Sequence, residues 1–264
     1  MELEPTPTAF AVLDILGYGR LMAKKPEEVL ILMQELLKSS VINRFVQHDL
    51  DQFARLSGAD TTPVIEYLQF SDTLIIYLRE DKLGPAQLAK PSQLVESVCY
   101  ATSLTLAHFI ATGIPLRGAI GFGRTFISQN SQNPFFFTGV ELYETFKLER
   151  EQMWAGAALH HSAEEALEDL QECPFVAKCS VPMIDSSSLK PEMAIDWVSC
   201  LKCGTDIIPP WNTMFRGSDP KIETKREKTL SFYKLLDLKP RSVSLGVAKE
   251  TIDSMRTRLS HLLT

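Results

Sequence analysis

Hydrophobic side chains recur along the chain in two patterns, short unbroken runs and longer stretches with a helical period. The first run, residues 8–13, is almost wholly apolar and ends at Asp14, and it predicts a buried strand. A turn with the sequence Gly17-Tyr18-Gly19 follows. Apolar positions spaced three and four residues apart then predict a helix over residues 26–45.

Two further apolar runs, residues 64–70 and 73–78, are separated only by Ser71 and Asp72. This arrangement predicts a β-hairpin with a carboxylate at its turn. The next helix is predicted over residues 91–112, because a proline opens the stretch and a glycine follows it.

The glycine-rich run at residues 116–123 predicts a strand in close contact with another backbone, and residues 125–127 predict a second strand. Residues 139–153 predict a helix. The later predicted elements are a helix over residues 160–170, strands over 175–182 and 193–201, and helices over 230–236 and 247–263. The order of elements predicts an α/β (α+β) fold, with a ferredoxin-like split βαβ core and a mostly antiparallel sheet flanked by helices.

The composition is that of a folded globular chain. Of its 264 residues, 45% are hydrophobic and 23% are charged, and a chain of this length buries a sizeable core without disulfides. Its 27 basic and 33 acidic residues give a net charge of −6, which argues against nucleic-acid binding through bulk electrostatics. Five cysteines and an N-terminus without a signal-peptide pattern predict reduced thiols and a cytoplasmic location.

One stretch of the chain has the length of a membrane span. Residues 97–116 carry no full charge, but polar side chains such as Thr102, Ser103 and His108 interrupt them. A spanning helix should be more uniformly apolar, so we expect a buried helix here and no membrane association.

Asp14 and Asp72 are the polar residues that carry most chemical information, because each borders apolar strands. If the strands are neighbours in the sheet, the carboxylates reach the same edge, and hard divalent cations would relieve their repulsion. Two ions bridged by carboxylates serve phosphoryl transfer, and the backbone N–H groups of residues 15–19 would cradle phosphates. From the residues alone, the alternative is that Asp14 caps a helix and Asp72 makes a turn.

Four segments, in the right order, resemble the motifs of class III nucleotide cyclases. Residues 10–18 resemble the first metal motif of that family, and residues 70–73 resemble the second. Residues 116–123 resemble the family's Arg-x-Gly-Ile-x-x-Gly strand, and Gly139 opens a helix like the one that supplies transition-state residues. The resemblance covers about residues 8–156 and implies the cyclase fold and a nucleoside triphosphate substrate.

The resemblance also implies particular site residues. Two Mg²⁺ or Mn²⁺ ions would be held by Asp14, Asp72 and the carbonyl of Ile15. The residues implied in substrate binding at the end of the first strand are Phe10, Ile15, Leu16, Gly17 and Tyr18. The transition-state Asn and Arg of the family fall here on Tyr143 and Lys147. Because Lys147 lacks the fork of an arginine, either these substitutes act, aided by Arg150, or catalysis is impaired.

A closer similarity, carried by residues 139–149, Gln152, residues 154–156 and residues 195–197, is to the bacterial pyrimidine cyclases of Pycsar antiphage defence. That resemblance implies a homodimer that makes cyclic UMP or cyclic CMP. It also implies that this messenger activates a separate effector protein.

Two positions bear on the base. The Lys and Asp with which adenylyl cyclases read adenine correspond here to Leu68 and Phe136. Neither side chain can hydrogen-bond a purine edge, and a site built on such bonds discriminates strongly. The bulk of Phe136 and neighbouring aromatic side chains would narrow a base pocket, which favours a pyrimidine. The alternative is that these residues simply belong to the core.

The chain is therefore expected to comprise a catalytic domain over residues 1–215 and a helical extension over residues 216–264 packed on it. The charged run 221–228 is mixed in sign and predicts a solvated face. The expected reaction converts UTP, or CTP, to the 3′,5′-cyclic monophosphate and pyrophosphate. The alternatives are a catalytically inactive cyclase-like dimer used for sensing or interaction, and a phosphohydrolase using the same carboxylates.

Overall fold

The computed structural model describes most of the chain. The described residues are 4–24, 26–31, 65–82, 90–130, 133–168, 170, 172–185, 187–202, 207–215, 219–237, 253, 256 and 257. The predicted helix over residues 26–45 is helical at 26–31, and its remainder lies outside the described residues. Most of the predicted helix over 247–263 lies outside them as well.

A twisted sheet forms the centre of the described structure. Its strands are β1 (Thr6–Ile15), β2 (Glu66–Phe70), β3 (Thr73–Arg79), β4 (Leu116–Asn130), β5 (Asn133–Thr138), β6 (Gly156–Leu159), β7 (Val176–Lys178) and β8 (Met193–Ile195). The helices are α1 (Tyr18–Lys24), α2 (Pro91–Thr112), α3 (Val140–Arg150), α4 (His161–Leu167), α5 (Val198–Lys202), α6 (Trp211–Met214) and α7 (Pro220–Asp237).

The strand order confirms the predicted ferredoxin-like core. Along the sheet the order is β2-β3-β1-β4-β6-β8-β7, with β5 paired to the far half of β4. The first four of these strands, connected through helices as βαββαβ, have the split βαβ arrangement. Among the described strands, β4 and β6 run parallel and the other neighbours are antiparallel.

The alternation of side chains along β1 places a helix against each face of the sheet. Ala11 and Leu13 point into the larger core, which contains α2. Phe10 and Val12 point to the opposite face, into a smaller cluster with Leu142 of α3. Asp14 continues this second series, so its carboxylate lies on the α3 side of the sheet.

Helix α2 is the buried helix that the uncharged stretch predicts. By length and composition alone it would qualify as a membrane span, yet 94% of its most apolar window is buried inside the protein. Several of its polar side chains form hydrogen bonds within the protein, as when Ser103 Oγ donates to the Asp196 carbonyl at 2.7 Å. Burial lowers the pKa of His108 to about 4, so this histidine is neutral in the core.

The glycine-rich strand is longer than predicted. Residues 116–130 form one continuous strand rather than two, and residues 133–138 return as β5, which the apolar pattern did not predict. A Cβ at Gly118 would lie 2.6 Å from the Val12 carbonyl oxygen, so glycine allows β1 and β4 to approach closely. This close pairing places Arg117 directly opposite Asp14.

Two other predictions near the end of the chain are wrong in part. The predicted strand over residues 193–201 stops at Ile195, because Asp196 accepts hydrogen bonds from Ser199 and begins helix α5. The charged run 221–228 is not a uniformly solvated face, since it lies in α7 and several of its side chains are half-buried. Helix α7 packs on the core through Phe232, whose ring centroid is 4.5 Å from that of Trp154.

Candidate active site

The backbone brings Asp14 and Asp72 to one edge of the sheet. Strand β1 runs antiparallel to β3, with Asp14 opposite Thr73, and the Ile15 N–H donates to the Asp72 carbonyl at 3.0 Å. Asp72 ends the two-residue turn between β2 and β3, in which Ser71 has a φ of 58°. The predicted hairpin with a carboxylate at its turn is confirmed, and the two aspartates are backbone neighbours.

Arg117 is the first partner of Asp14. It lies opposite Asp14 on β4, and its Nη2 is 3.4 Å from Asp14 Oδ2. The Asp14 side chain is 24% exposed. Burial raises the pKa of Asp14, Arg117 lowers it, and the negative charge of Asp72 raises it again, with a net increase. The ionised carboxylate is therefore unfavourable in free energy, and a bound cation would stabilise it.

A buried carboxylate fixes the other end of Arg117. Its Nε donates to Glu149 Oε1 at 2.6 Å, and its Nη1 donates to the Gln152 carbonyl at 3.3 Å. Glu149 is only 4% exposed, and burial raises its pKa while Arg117 lowers it. The guanidinium thus bridges α3 to β1, and its orientation toward Asp14 is set by Glu149.

Gln152 supports this bridge from beneath. Its side chain is fully buried, and its amide donates to the Gly118 carbonyl at 2.6 Å and to the Leu148 carbonyl at 3.2 Å. Its amide oxygen accepts from the Trp154 indole N–H at 2.8 Å. The end of α3 is therefore tied to β4 beside Arg117 by bonds that only an amide side chain can make together.

The two predicted transition-state residues lie on an open face of α3. Tyr143 is 68% exposed, and Lys147 and Arg150 are exposed as well. With Phe146 and Glu151 they line a cleft of about 510 Å³. Arg150 also acts on Asp14 of the same chain, because its charge lowers the pKa of that carboxyl.

The predicted phosphate cradle is smaller than the sequence indicates. Of the N–H groups of residues 15–19, that of Ile15 is bonded to Asp72, and that of Leu16 is bonded to the Pro115 carbonyl at 2.9 Å. These two donors are used by the sheet, which the sequence cannot reveal without the strand order. Gly17, with a φ of 83°, makes the turn into α1, and Tyr18 begins that helix.

The residues predicted to surround the base do not all lie together within the chain. Phe10 is fully buried and Leu68 is half-buried in the small cluster under α3. Phe136 is 53% exposed, and its neighbour Phe137 turns inward instead, with its ring centroid 6.2 Å from that of Phe10. Their roles in substrate binding stay predictions.

The donor set at this edge fits a hard divalent cation. In the part of the chain that the structure describes, no group of three or more His, Cys, Asp or Glu side chains is placed to hold a metal ion. The available oxygens are the two carboxylates and backbone carbonyls, and Asp14 carries a raised pKa next to a second anion. Mg²⁺ and Mn²⁺ take such carboxylate and carbonyl oxygens and keep several waters.

No protein-family model and no curated protein matches the chain. Solved structures resemble it at low identity. The adenylyl cyclase CyaB from P. aeruginosa is 14% identical with a TM-score of 0.45, over 74% of this chain and 97% of that one. The guanylyl cyclase Cya2 is 12% identical with a TM-score of 0.42, over 74% and 93%. The catalytic core of a rhodopsin-guanylyl cyclase in complex with ATPαS is 9% identical with a TM-score of 0.47, over 72% and 94%.

All three are nucleotide cyclases. At these identities and TM-scores the likeness carries no argument about activity or substrate, and the function of this chain has to be inferred from its own residues.

Three residues of the site were not singled out from the sequence. Arg117 belongs to the glycine-rich run, but its place opposite Asp14 depends on the β1–β4 register. Glu149 lies near the end of α3 and had no pattern to mark it as buried. Lys225 of α7 is far along the chain from the other members, and only the tertiary fold brings its charge near Asp14.

Proposed function

We propose that the chain is a nucleotide cyclase that converts a nucleoside triphosphate to its 3′,5′-cyclic monophosphate and pyrophosphate. One observation carries the proposal, the junction of Asp14 and Asp72 through the bond between the Ile15 N–H and the Asp72 carbonyl. Two anions joined at a sheet edge and faced by cations are suited to a metal-bound polyphosphate.

Asp14, Asp72 and the carbonyl of Ile15 would hold two Mg²⁺ or Mn²⁺ ions. When bound, such ions lower the pKa of a ribose hydroxyl and neutralise charge on the phosphates. Arg117 keeps the Asp14 carboxylate in place, because Glu149 and Gln152 fix the opposite side of the guanidinium.

In the proposed reaction the ribose 3′-oxygen forms a bond to the α-phosphorus. The bond from that phosphorus to the bridging oxygen breaks, pyrophosphate leaves, and the hydroxyl proton passes to water. Donors placed in advance stabilise the charge that develops on the α-phosphate oxygens. Tyr143 and Lys147, with Arg150, are proposed to be those donors, acting from the α3 of one subunit on the metal edge of its partner.

The proposed assembly is a homodimer. Three large apolar side chains are exposed around the start of α3, namely Phe136 at 53%, Val140 at 74% and Tyr143 at 68%. Apolar side chains grouped in this way are typical of an interaction surface. The same surface carries Tyr143, so its burial against a second copy would bring the transition-state candidates to the partner's site.

The preferred substrate is proposed to be a pyrimidine nucleotide, UTP or CTP. Leu68 and Phe136, at the positions that read adenine in adenylyl cyclases, have no side-chain hydrogen-bonding group. A pocket of this kind accepts a base by shape, so purine selection through edge bonds is lost. The chain resembles Pycsar cyclases. On that basis its product is proposed to be a cytoplasmic messenger in antiphage defence that activates a separate effector.

Incubation with each of the four ribonucleoside triphosphates and Mn²⁺, followed by product separation, tests the proposal. We expect cyclic UMP or cyclic CMP to exceed the purine products, and pyrophosphate to appear in equal amount. Inorganic phosphate without cyclic product would indicate a phosphohydrolase. No turnover of any triphosphate by the folded dimer would favour the inactive, cyclase-like interaction protein, in line with Tyr143 and Lys147 replacing Asn and Arg.

A further inference from the structure

Helix α7 is fixed beside the strand pair that carries Arg117. The fully buried Thr229 accepts a hydrogen bond from the Ala155 N–H at 2.8 Å. Ala155 immediately precedes Gly156, the residue that pairs with Arg117 across β4 and β6. The same Thr229 hydroxyl donates to the Lys225 carbonyl at 2.7 Å, so Lys225 lies one helical turn from this anchor.

Three members of the candidate site, Arg117, Asp14 and Glu149, act electrostatically on Lys225. The charge of Lys225 in turn lowers the pKa of Asp14. The pKa of Lys225 itself is lowered, first by burial and then by repulsion from Arg117. The lysine is half-buried, and within the described residues it makes no ion pair, although Asp14 and Glu149 are both paired to Arg117.

We infer that Lys225 binds the polyphosphate chain of the substrate, and that the C-terminal helix α7 is thus part of the active site of its own subunit. The inference rests on the proposed function for the identity of the ligand. Its geometric basis is the position of Lys225 on α7, one helical turn from the Thr229 anchor at Ala155, the residue before the one that pairs with Arg117. Two cations on neighbouring elements, of which Lys225 makes no ion pair among the residues that the structure describes, are suited to an incoming polyanion.

A purely structural role would be to balance the negative charge of Asp14 and Glu149. Arg117 already does so at short range, with contacts of 3.4 and 2.6 Å. Burial and then the charge of Arg117 lower the pKa of Lys225, against the opposing effect of Asp14, Glu149 and Asp219, and a bound phosphate would favour the charged lysine. Lys225 is therefore a ligand-binding residue rather than a further support for the two carboxylates.

Titration calorimetry with inorganic tripolyphosphate in the presence of Mg²⁺ tests this inference without requiring turnover. We expect Lys225→Ala to weaken binding about tenfold or more, and Lys225→Arg to stay within about threefold of wild type, since either cation can donate to phosphate. Lys234→Ala is the matched control, because Lys234 is exposed on the same helix. Lys225→Met, which keeps the aliphatic stem, replaces the alanine variant if that variant does not fold.

Kinetics with the preferred triphosphate give the second readout. Lys225→Ala should raise KM far more than it lowers kcat, whereas a structural defect would lower thermal stability and kcat together. Tripolyphosphate binding unchanged by Lys225→Ala or Lys225→Met, or absent in the wild type, would overturn the inference. A wild type that binds tripolyphosphate through Lys225 but forms no cyclic product would contradict the proposed function and leave the inference standing.

Discussion

Asp14 lies between one cation and one anion, with Arg117 at 3.4 Å on one side and Asp72 joined to it through the backbone on the other. The effects of burial and of the Asp72 charge together outweigh the effect of Arg117, so the pKa of Asp14 is raised. The folded protein therefore holds the Asp14 proton more tightly than the unfolded chain does. It follows that ionised Asp14 costs folding free energy at neutral pH, as functional groups often do.

Replacing Asp14 by asparagine should stabilise the protein and abolish its activity. The amide side chain would carry no charge to bury or to repel Asp72, while Arg117 keeps Glu149 as its partner. We expect the gain in unfolding free energy at pH 7 to fall within the range of about 0.5–2 kcal/mol seen for stabilising substitutions. Urea denaturation followed by circular dichroism measures it, and a loss of stability would show that the Arg117 pair outweighs burial.

On acidification, metal binding should be lost at a higher pH than it would be if Asp14 had the pKa of an ordinary aspartate. A proton and a cation compete for the same carboxylate, and the raised pKa of Asp14 moves that competition above the usual value of about 3.9. Mn²⁺ affinity measured by electron paramagnetic resonance between pH 4 and pH 8 checks this. An affinity that stays constant down to pH 4 would contradict it.

At the scale of elements, the closeness of β1 and β4 places Arg117 against Asp14. Gly118→Ala should destabilise the fold by about 1–3 kcal/mol, the usual cost of overpacking, because its Cβ would lie 2.6 Å from the Val12 carbonyl oxygen. Gly19→Ala is the control, since no atom lies within 4 Å of a Cβ built there. Equal unfolding midpoints in urea for the two variants would refute the close-packing explanation.

The first half of the fold could be predicted from the sequence because its elements are long and carry clear periods. The buried strand ending at Asp14, the hairpin at Asp72 and the helix over 91–112 were all found in this way. Strands β5 and β6 were not predicted. Strand β5 consists of polar and aromatic residues and pairs with β4 as the second strand of a hairpin, and β6 has only four residues. Short strands are formed by tertiary pairing, and local pattern gives little sign of them.

The candidate site divides in the same way. Asp14 and Asp72 could be predicted because a carboxylate at the end of an apolar strand is visible in the sequence. The sequence does not predict the other members of the site, because they are brought together by cross-strand register and by the packing of α3 and α7. These members are Arg117, Glu149 and Lys225. The N–H groups of residues 15 and 16 were misassigned to phosphate binding for the same reason, since sheet pairing uses them.

At the scale of the whole molecule, the account depends on a second copy of the chain. If each active site combines Asp14 of one subunit with Lys147 of the other, a mixture of Asp14→Ala and Lys147→Ala subunits should regain activity. Random pairing would restore one intact site in half of the dimers, and so about a quarter of wild-type turnover. Either variant alone should be inactive.

Activity of the mixed sample that stays at the level of the single variants would contradict a shared site. Sedimentation of each variant should show an unchanged dimer, so that loss of assembly is excluded as the cause.

Residues 216–264 are predicted to be an extension of the same domain, and the contact of Phe232 with Trp154 is consistent with that prediction.

The most direct measurement is Mn²⁺ binding to wild type, Asp14→Asn and Asp72→Asn by electron paramagnetic resonance. Asp81→Asn serves as the control, because Asp81 pairs with Arg79 at the opposite end of β3. The account predicts that wild type and Asp81→Asn bind Mn²⁺ equally well, and that each of the other two variants binds at least about tenfold more weakly, since each removes a carboxylate ligand of the metal. Mn²⁺ affinity that is the same in all four proteins would contradict a shared metal site at Asp14 and Asp72.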